Sequence, residues 1–280
     1  MRAHFPPSGP LKGKLTPPPD KSISHRAALI AGMCDSPVTI RNYLDSADTN
    51  STLGAIEAIG AGIERRGDEL IVRGVGMRGA QEAGGGGVID VGNAGTLIRL
   101  LPGWLAGQPT GDWELDGDES IRRRPMGRIV EPLRQMGAHI DASPDGTAPL
   151  CIEAAPLSGI DYTMPVASGQ VKSCLLLAAL MASGTTRITE PVVSRDHTER
   201  MLAAAGVPIL RQNDAIVIDG LVDELELGTI DIPGDISSAA FMVVAGVLVK
   251  GSRLVIRDVG LNHTRIGILN ILDRMGAVVL

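Results

Sequence analysis

Four segments of the chain close on the same step, an apolar residue followed by glycine and a small apolar residue: Ile59-Gly60-Ala61, Met136-Gly137-Ala138, Ala205-Gly206-Val207 and Met275-Gly276-Ala277. Their spacing of about seventy residues is longer than a solenoid repeat and marks a duplicated unit. Whatever one unit folds into, the chain must build it several times and pack the copies together. Within each unit an extended stretch leads to a small-polar turn and then to a strongly apolar segment: AALIAGMC, TLIRLLPGWLAG, VKSCLLLAALMASG and AAFMVVAGVLVKG. A short β-like stretch follows, and a second, amphipathic helix ends at the glycine step. The first helix of each unit is apolar almost all round, which predicts burial on every side, whereas the second keeps a polar face. Equivalent units set their buried helices side by side and pointing the same way. The amino-terminal ends then share one surface, where N–H groups and positive dipole ends attract anions.

Composition limits what such a surface can hold. The net charge of -6 and the isoelectric point near 5.4 argue against a nucleic-acid partner, which calls for a broad excess of Lys and Arg. Two Trp, two Tyr and two Phe leave almost no platform for stacked bases. Apolar residues make up 44% of the chain, enough for a sizeable core. Cys34, Cys151 and Cys174 sit among apolar neighbours without a CxxC pair and read as buried thiols of a reducing compartment. With no signal pattern and no apolar run of membrane-spanning length, a cytoplasmic protein is expected, with no membrane partner.

The polar turns are therefore the places to look for chemistry. The first, Asp20-Lys21-Ser22-Ile23-Ser24-His25-Arg26, opens a buried helix with two cations that oppose its dipole, a cost that an anion relieves. The second, Gly92-Asn93-Ala94-Gly95-Thr96, is followed one turn later by Arg99; Asn93 or Thr96 can cap, and Gly95 gives access to the backbone. The third is Ala167-Ser168-Gly169-Gln170, with Lys172 and Ser173 following. The fourth, Pro233-Gly234-Asp235-Ile236-Ser237-Ser238, lacks a cation and reads as structural.

Two further segments start the amphipathic helices. In Ile121-Arg122-Arg123-Arg124-Pro125 the proline suits a first helical position, and diverging side chains let about one guanidinium of the three reach a site. Pro132 implies a kink or a late start. In Ser194-Arg195-Asp196-His197-Thr198-Glu199, Asp196 and Glu199 have capping-box spacing, which leaves Arg195 unexplained.

Gly74-Val75-Gly76-Met77-Arg78-Gly79 fits a dinucleotide fingerprint as a string, but the sequel is Ala80-Gln81-Glu82-Ala83 and four glycines rather than a long helix. The five histidines show no ligand spacing, so neither a metal nor another cofactor is expected.

Taken together, the Asp20–Arg26 turn, Asn93-Ala94-Gly95-Thr96 with Arg99, Arg124-Pro125, Ser168-Gly169-Gln170 and Ser194-Arg195-Asp196-His197 resemble the 5-enolpyruvylshikimate-3-phosphate synthase family in order and approximate spacing, over essentially the whole chain. The likeness is to bacterial members in which the third turn continues as Gln-Val-Lys-Ser and the later segment reads Arg-Asp-His-Thr-Glu. It implies an α/β fold, an inside-out barrel of βαβαββ repeats in two domains. Residues 21-231 would form a complete three-repeat domain, and 1-20 with 232-280 a split, incomplete one. The implied reaction moves the enolpyruvyl group of phosphoenolpyruvate to the 5-hydroxyl of shikimate 3-phosphate and releases phosphate, in an enzyme that is a monomer when complete.

By motif, the resemblance implies that Lys21 is catalytic and touches both substrates. Shikimate 3-phosphate would be held by Lys21, Ser22, Arg26, Ser168, Gly169, Gln170, Ser194 and Arg195, and phosphoenolpyruvate by Lys21, Gly95, Arg124 and Gln170. Gly169 stands where many relatives carry Ser or Ala, so only its backbone contact carries over. Gly95 matches relatives sensitive to glyphosate. The family's general-base aspartate and its acidic partner would fall beyond Leu280, so the chain alone is expected to bind shikimate 3-phosphate weakly without turnover, its tail Ala277-Val278-Val279-Leu280 reading as strand. Two alternatives stay open. One is the sister enzyme acting on UDP-N-acetylglucosamine, against which Ser22 and the apolar settings of the cysteines argue. The other is a non-catalytic binding module of the same fold.

Overall fold

The computed structural model describes residues 4, 9–83 and 87–279. In chain order the elements are β1 (Lys12–Leu15), α1 (Lys21–Gly32), β2 (Val38–Arg41), α2 (Ala47–Ala58), β3 (Gly62–Arg66), β4 (Glu69–Arg73), β5 (Val88–Asp90) and α3 (Leu97–Leu105). There follow β6 (Asp112–Asp116), α4 (Gly127–Gln135), β7 (His139–Ala142), β8 (Leu150–Glu153), β9 (Asp161–Thr163), α5 (Gly169–Ala179), β10 (Thr185–Thr189) and α6 (His197–Ala204). The chain ends with β11 (Ile209–Gln212), β12 (Ala215–Asp219), β13 (Thr229–Asp231), α7 (Ile236–Leu248), β14 (Arg253–Ile256) and α8 (Gly267–Arg274). Two compact units result, Ser22–Asp231 and the pair Met1–Lys21 with Ile232–Leu280.

Three four-stranded sheets of identical plan make up the larger unit, ordered β13-β2-β4-β3, β5-β6-β8-β7 and β9-β10-β12-β11. In each, the first pair is parallel and the other two pairs are antiparallel. This is a βαβαββ unit built three times, with α3 and α5 filling the parallel crossovers of the second and third copies. The first copy takes its opening strand from the far end of the unit, where Ile230 of β13 registers with Ile40 of β2. Side chains alternate across the pleat, so Ile40, Leu70, Leu115, Leu150, Ile188 and Ile216 all fall on buried faces.

The recurring glycine step is a helix stop. Gly60, Gly137, Gly206 and Gly276 take φ values of 106, 95, 91 and 87°, in the left-handed region. The next residue donates its N–H five residues back: Ala61 to Ile56, Ala138 to Leu133, Val207 to Leu202 and Ala277 to Leu272, at 2.9–3.0 Å. This satisfies carbonyls that the helix end would otherwise leave open.

Helices α1, α3 and α5 are buried nearly throughout, as their apolar sequences predict. Gln170 at the start of α5 bonds Thr96 beside the start of α3, and Gln108 just past α3 reaches Met181 just past α5, so the two run parallel. They touch at Gly103, where an added Cβ would lie 2.9 Å from the carbonyl carbon of Cys174. At the same depth Gly32 of α1 packs on Trp104 of α3.

Several local expectations are corrected. Helix α7 is not buried on all sides: only Ile236 and Ala239 are covered, and Phe241 is 77% exposed, because few described side chains pack on it. Its turn is structural as expected, Asp235 capping the Ser237 N–H, yet a cation does reach it, since Arg265 donates to Ser237 Oγ. Residues 277–279 form no strand, and Leu280 lies outside the described residues. Cys151 is exposed because it points away from the core on β8, while Cys34 and Cys174 are buried. Pro125 precedes α4 instead of opening it; the helix starts late, with Pro132 inside.

Asp196 and Glu199 form no capping box: Asp196 pairs with Arg200, and Glu199 turns inward to Lys172. Thr96 makes no capping bond either. The Gly74–Gly79 string is a loop without a following helix, and Gly74 fits there because a side chain would collide with the carbonyls ending α1. Of the four glycines after it, residues 84–86 lie outside the described residues.

Candidate functional site

The amino-terminal ends of the buried helices come together through side chains of the polar turns. At α1, Ser22 Oγ accepts a hydrogen bond from Arg195 Nη1 at 2.7 Å, which brings the loop between β10 and α6 onto the helix start. At α5, Ser168 caps the helix through Val171 N–H, and an added Cβ on Gly169 would meet Arg195 and Ser194 at ordinary contact distances of 3.6–3.7 Å. Position 169 thus tolerates a side chain and contributes its backbone. Ser22, Ser168, Gly169, Ser194 and Arg195 form one cluster.

Arg26 lies beneath this cluster. It is 2% exposed and donates to Ser22 O, Gly169 O, Ser173 Oγ and Thr198 Oγ1 at 2.9–3.1 Å. A buried guanidinium needs such a full set of acceptors. It ties α1, α5 and α6 into one piece. Lys21, the first residue of α1, is exposed.

A second cluster surrounds the start of α3. Of the three consecutive arginines, Arg122 pairs with Asp116 at 2.5 Å and Arg123 with Glu119 at 3.1 Å, both at the surface. Arg124 instead bonds Asn93 Oδ1 at 2.6 Å and Ser120 Oγ at 3.2 Å, and its guanidinium covers Gly95, where an added Cβ would overlap Nη1. Arg99 donates to Gly95 O at 3.0 Å. Burial holds the Arg99 pKa below its ordinary value, and the like charges of Arg124 and Arg128 push it the same way. Three guanidiniums placed against one another at a helix start favour a bound anion.

Gln170 joins the two clusters: its Oε1 accepts from Arg99 at 3.3 Å, and its Nε2 donates to Thr96 Oγ1 at 3.1 Å. Ten residues were expected from sequence. Ser22, Ser168, Gly169, Gln170, Ser194, Arg195, Gly95 and Arg124 sit on this double cluster, and Arg26 supports it from below.

The matching family model is that of EPSP synthase (3-phosphoshikimate 1-carboxyvinyltransferase), aligned over residues 6–280. The chain belongs to the EPSP synthase family. It is 48% identical over 268 residues to the 3-phosphoshikimate 1-carboxyvinyltransferase of Bacillus cereus strain B4264, covering 95% of this chain and 62% of that one. The Bacillus anthracis strain A0248 enzyme is 47% identical over the same length. An EPSP synthase structure from Acinetobacter baumannii superposes with a TM-score of 0.89 at 41% identity, over 97% of this chain and 61% of that one. The α/β fold is that family's inside-out arrangement of repeated units. The chain spans about three fifths of the length of these relatives.

Sequence reasoning missed Arg128 and the buried group around Lys172. Arg128 lacked any turn motif. Lys172 is 0% exposed at its side chain, with Nζ 2.8 Å from Glu190 Oε2 and 2.7 Å from Glu199 Oε1. Burial pushes the Glu199 carboxyl above its ordinary pKa, opposed by Lys172. Among the described residues no His, Cys, Asp and Glu cluster could hold a metal, and no helix is long and apolar enough to cross a membrane.

Proposed function

We propose that this chain provides the shikimate 3-phosphate side, and part of the phosphoenolpyruvate side, of an enolpyruvyl-transfer site. The reaction moves the enolpyruvyl group of phosphoenolpyruvate to the 5-hydroxyl of shikimate 3-phosphate with release of phosphate, a step toward aromatic compounds. The observation that carries this reading is the pair of anion-seeking clusters linked by Gln170: two adjacent anionic substrates call for two cationic seats sharing one amide. Ser22, Ser168, the Gly169 backbone, Ser194 and Arg195 take the shikimate phosphate. Arg26 sets the positions of Ser22 and Gly169 from below and carries positive charge toward the same anion. Gly95, Arg124 and Gln170 take phosphoenolpyruvate, with Arg99 and Arg128 adding field.

Lys21, at the exposed start of α1, reaches both substrates. During transfer the enol methylene is protonated, the hydroxyl adds to the cationic carbon with loss of its proton, and the tetrahedral adduct then loses phosphate and a methyl proton to restore the enol ether. Fixed guanidiniums stabilise the charge leaving with that phosphate better than reorienting water does. The same crowding of Arg124 over Gly95 supports glyphosate sensitivity in the complete enzyme, checked by inhibition measured against phosphoenolpyruvate. A cytoplasmic monomer is the form we propose for the complete enzyme.

Calorimetry of the purified chain with shikimate 3-phosphate, with and without phosphoenolpyruvate, tests the reading. Binding is expected, and Arg195→Ala should weaken it by about 2 kcal/mol, the cost of truncating one partner of a close charge pair. No binding at millimolar ligand, or binding indifferent to Arg195→Ala, would overturn it.

A further inference from the structure

The buried group beneath the Ser194–Arg195 loop has no part in the function described so far. Glu190 follows β10, and its Oε1 accepts from both the N–H of Ser194, at 3.3 Å, and the Ser194 hydroxyl. Its other oxygen meets Lys172 Nζ at 2.8 Å, and the same ammonium reaches Ser194 O at 3.4 Å. All three polar atoms of Ser194 are thus tied to one ion pair that solvent does not touch.

Burying an ammonium with carboxylates costs several kcal/mol, and apolar residues of like volume often stabilise a core as well or better. Stability is therefore a poor reason for this arrangement. Its output is geometric: with Ser194 held at N–H, carbonyl and hydroxyl, the backbone that carries Arg195 has one orientation. From there the Arg195 guanidinium meets Ser22.

We propose that Lys172 and Glu190 are positioning residues, a buried ion pair that fixes Ser194 and so aims Arg195 at the ligand phosphate. The inference rests on the functional reading above for its ligand, and on geometry alone for the loop. Glu199 completes the charge group from α6, so the loop is braced from the helix that precedes it and the helix that follows.

Two variants test this, Lys172→Met and Glu190→Asp. The second keeps both charges and withdraws the carboxylate from Ser194 by one methylene, so it decides the matter if Lys172→Met fails to fold. Glu190→Asp should weaken shikimate 3-phosphate binding by up to about 30-fold, no more than Arg195→Ala itself. In an Arg195→Ala background the same change should cost less than about fivefold, because only the shift of Ser194 itself then remains. Hydrogen exchange of the 193–195 amides should accelerate, while α3 and β6 stay protected. Equal losses in both backgrounds, or unchanged loop exchange, would overturn the proposal. If the wild-type chain ignores shikimate 3-phosphate but the loop amides still loosen in Glu190→Asp, the functional reading fails and the positioning stands.

Discussion

Replacing Gly103 by alanine should push helix α3 away from α5. The new Cβ would lie 2.9 Å from the carbonyl carbon of Cys174 and 3.1 Å from its Cα, and would overlap the carbonyl oxygen outright. Carbon pairs settle at about 3.5–4.0 Å, so the helices must separate by roughly 0.5–1 Å. The obstacle is helix backbone, which cannot swing aside as a side-chain tip would. Overpacking of this kind costs about 1–3 kcal/mol, and the better helix propensity of alanine returns about 1 kcal/mol. With a rigid obstacle the net loss should fall near 2 kcal/mol, or about 4–8 °C in Tm for a body of this size.

Gly54→Ala is the control. That glycine lies in α2 with nothing within 4 Å of an added Cβ, so only the propensity gain of about 1 kcal/mol remains. The same substitution should therefore lower Tm at one helix and raise it at the other, read by calorimetry or circular dichroism. A Gly103→Ala chain as stable as the parent, or both variants moving the same way, would refute the close-packing argument. Because α3 carries Arg99 and faces Gln170, phosphoenolpyruvate affinity should fall in Gly103→Ala and hold in Gly54→Ala.

Gly95→Ala should leave stability nearly unchanged, since the added Cβ meets flexible arginine tips, while displacing Arg124; phosphate-class anions should then bind less tightly in calorimetric titrations. Glu199→Gln tests the buried charge group. A carboxyl with a raised folded pKa contributes stability below its unfolded value, about 4.3, and loses it as pH rises through the folded value. The variant should therefore gain on wild type as pH increases across that window, with Glu190 still pairing Lys172; urea midpoints that differ by the same amount at pH 5 and pH 8 would count against it. For the thiols, burial raises Cys34 to about 11 and Cys174 to about 12, so a maleimide should label Cys151 alone in the native chain and all three after denaturation.

The fold could be read from sequence where the code is local. Each Gly-small step is a left-handed stop needed by the backbone itself, so it survives in all four copies while neighbouring side chains vary. Apolar segments such as VKSCLLLAALMASG announce burial for the same reason. The polar turns were visible because their residues sit at helix starts. Lys172 was not: its partners lie 18 and 27 residues away, and nothing in their spacing distinguishes a buried ion pair from solvated charge. The Asp196/Glu199 pair even suggested a different local use. Helix α7 shows the converse limit, because apolar character specifies what a helix can bury and leaves open what covers it.

The sharing of β13 with the first sheet bears on synthesis. The second and third sheets draw on residues 88–153 and 161–219, so each can form as a contiguous stretch leaves the ribosome. The first cannot close until residue 229 emerges and Thr229 reaches Thr39. Until then β2 presents a bare edge, the kind of surface that invites mispairing between nascent chains. The unit that begins first is thus finished last, and the window of exposure lasts as long as translation of the two units between.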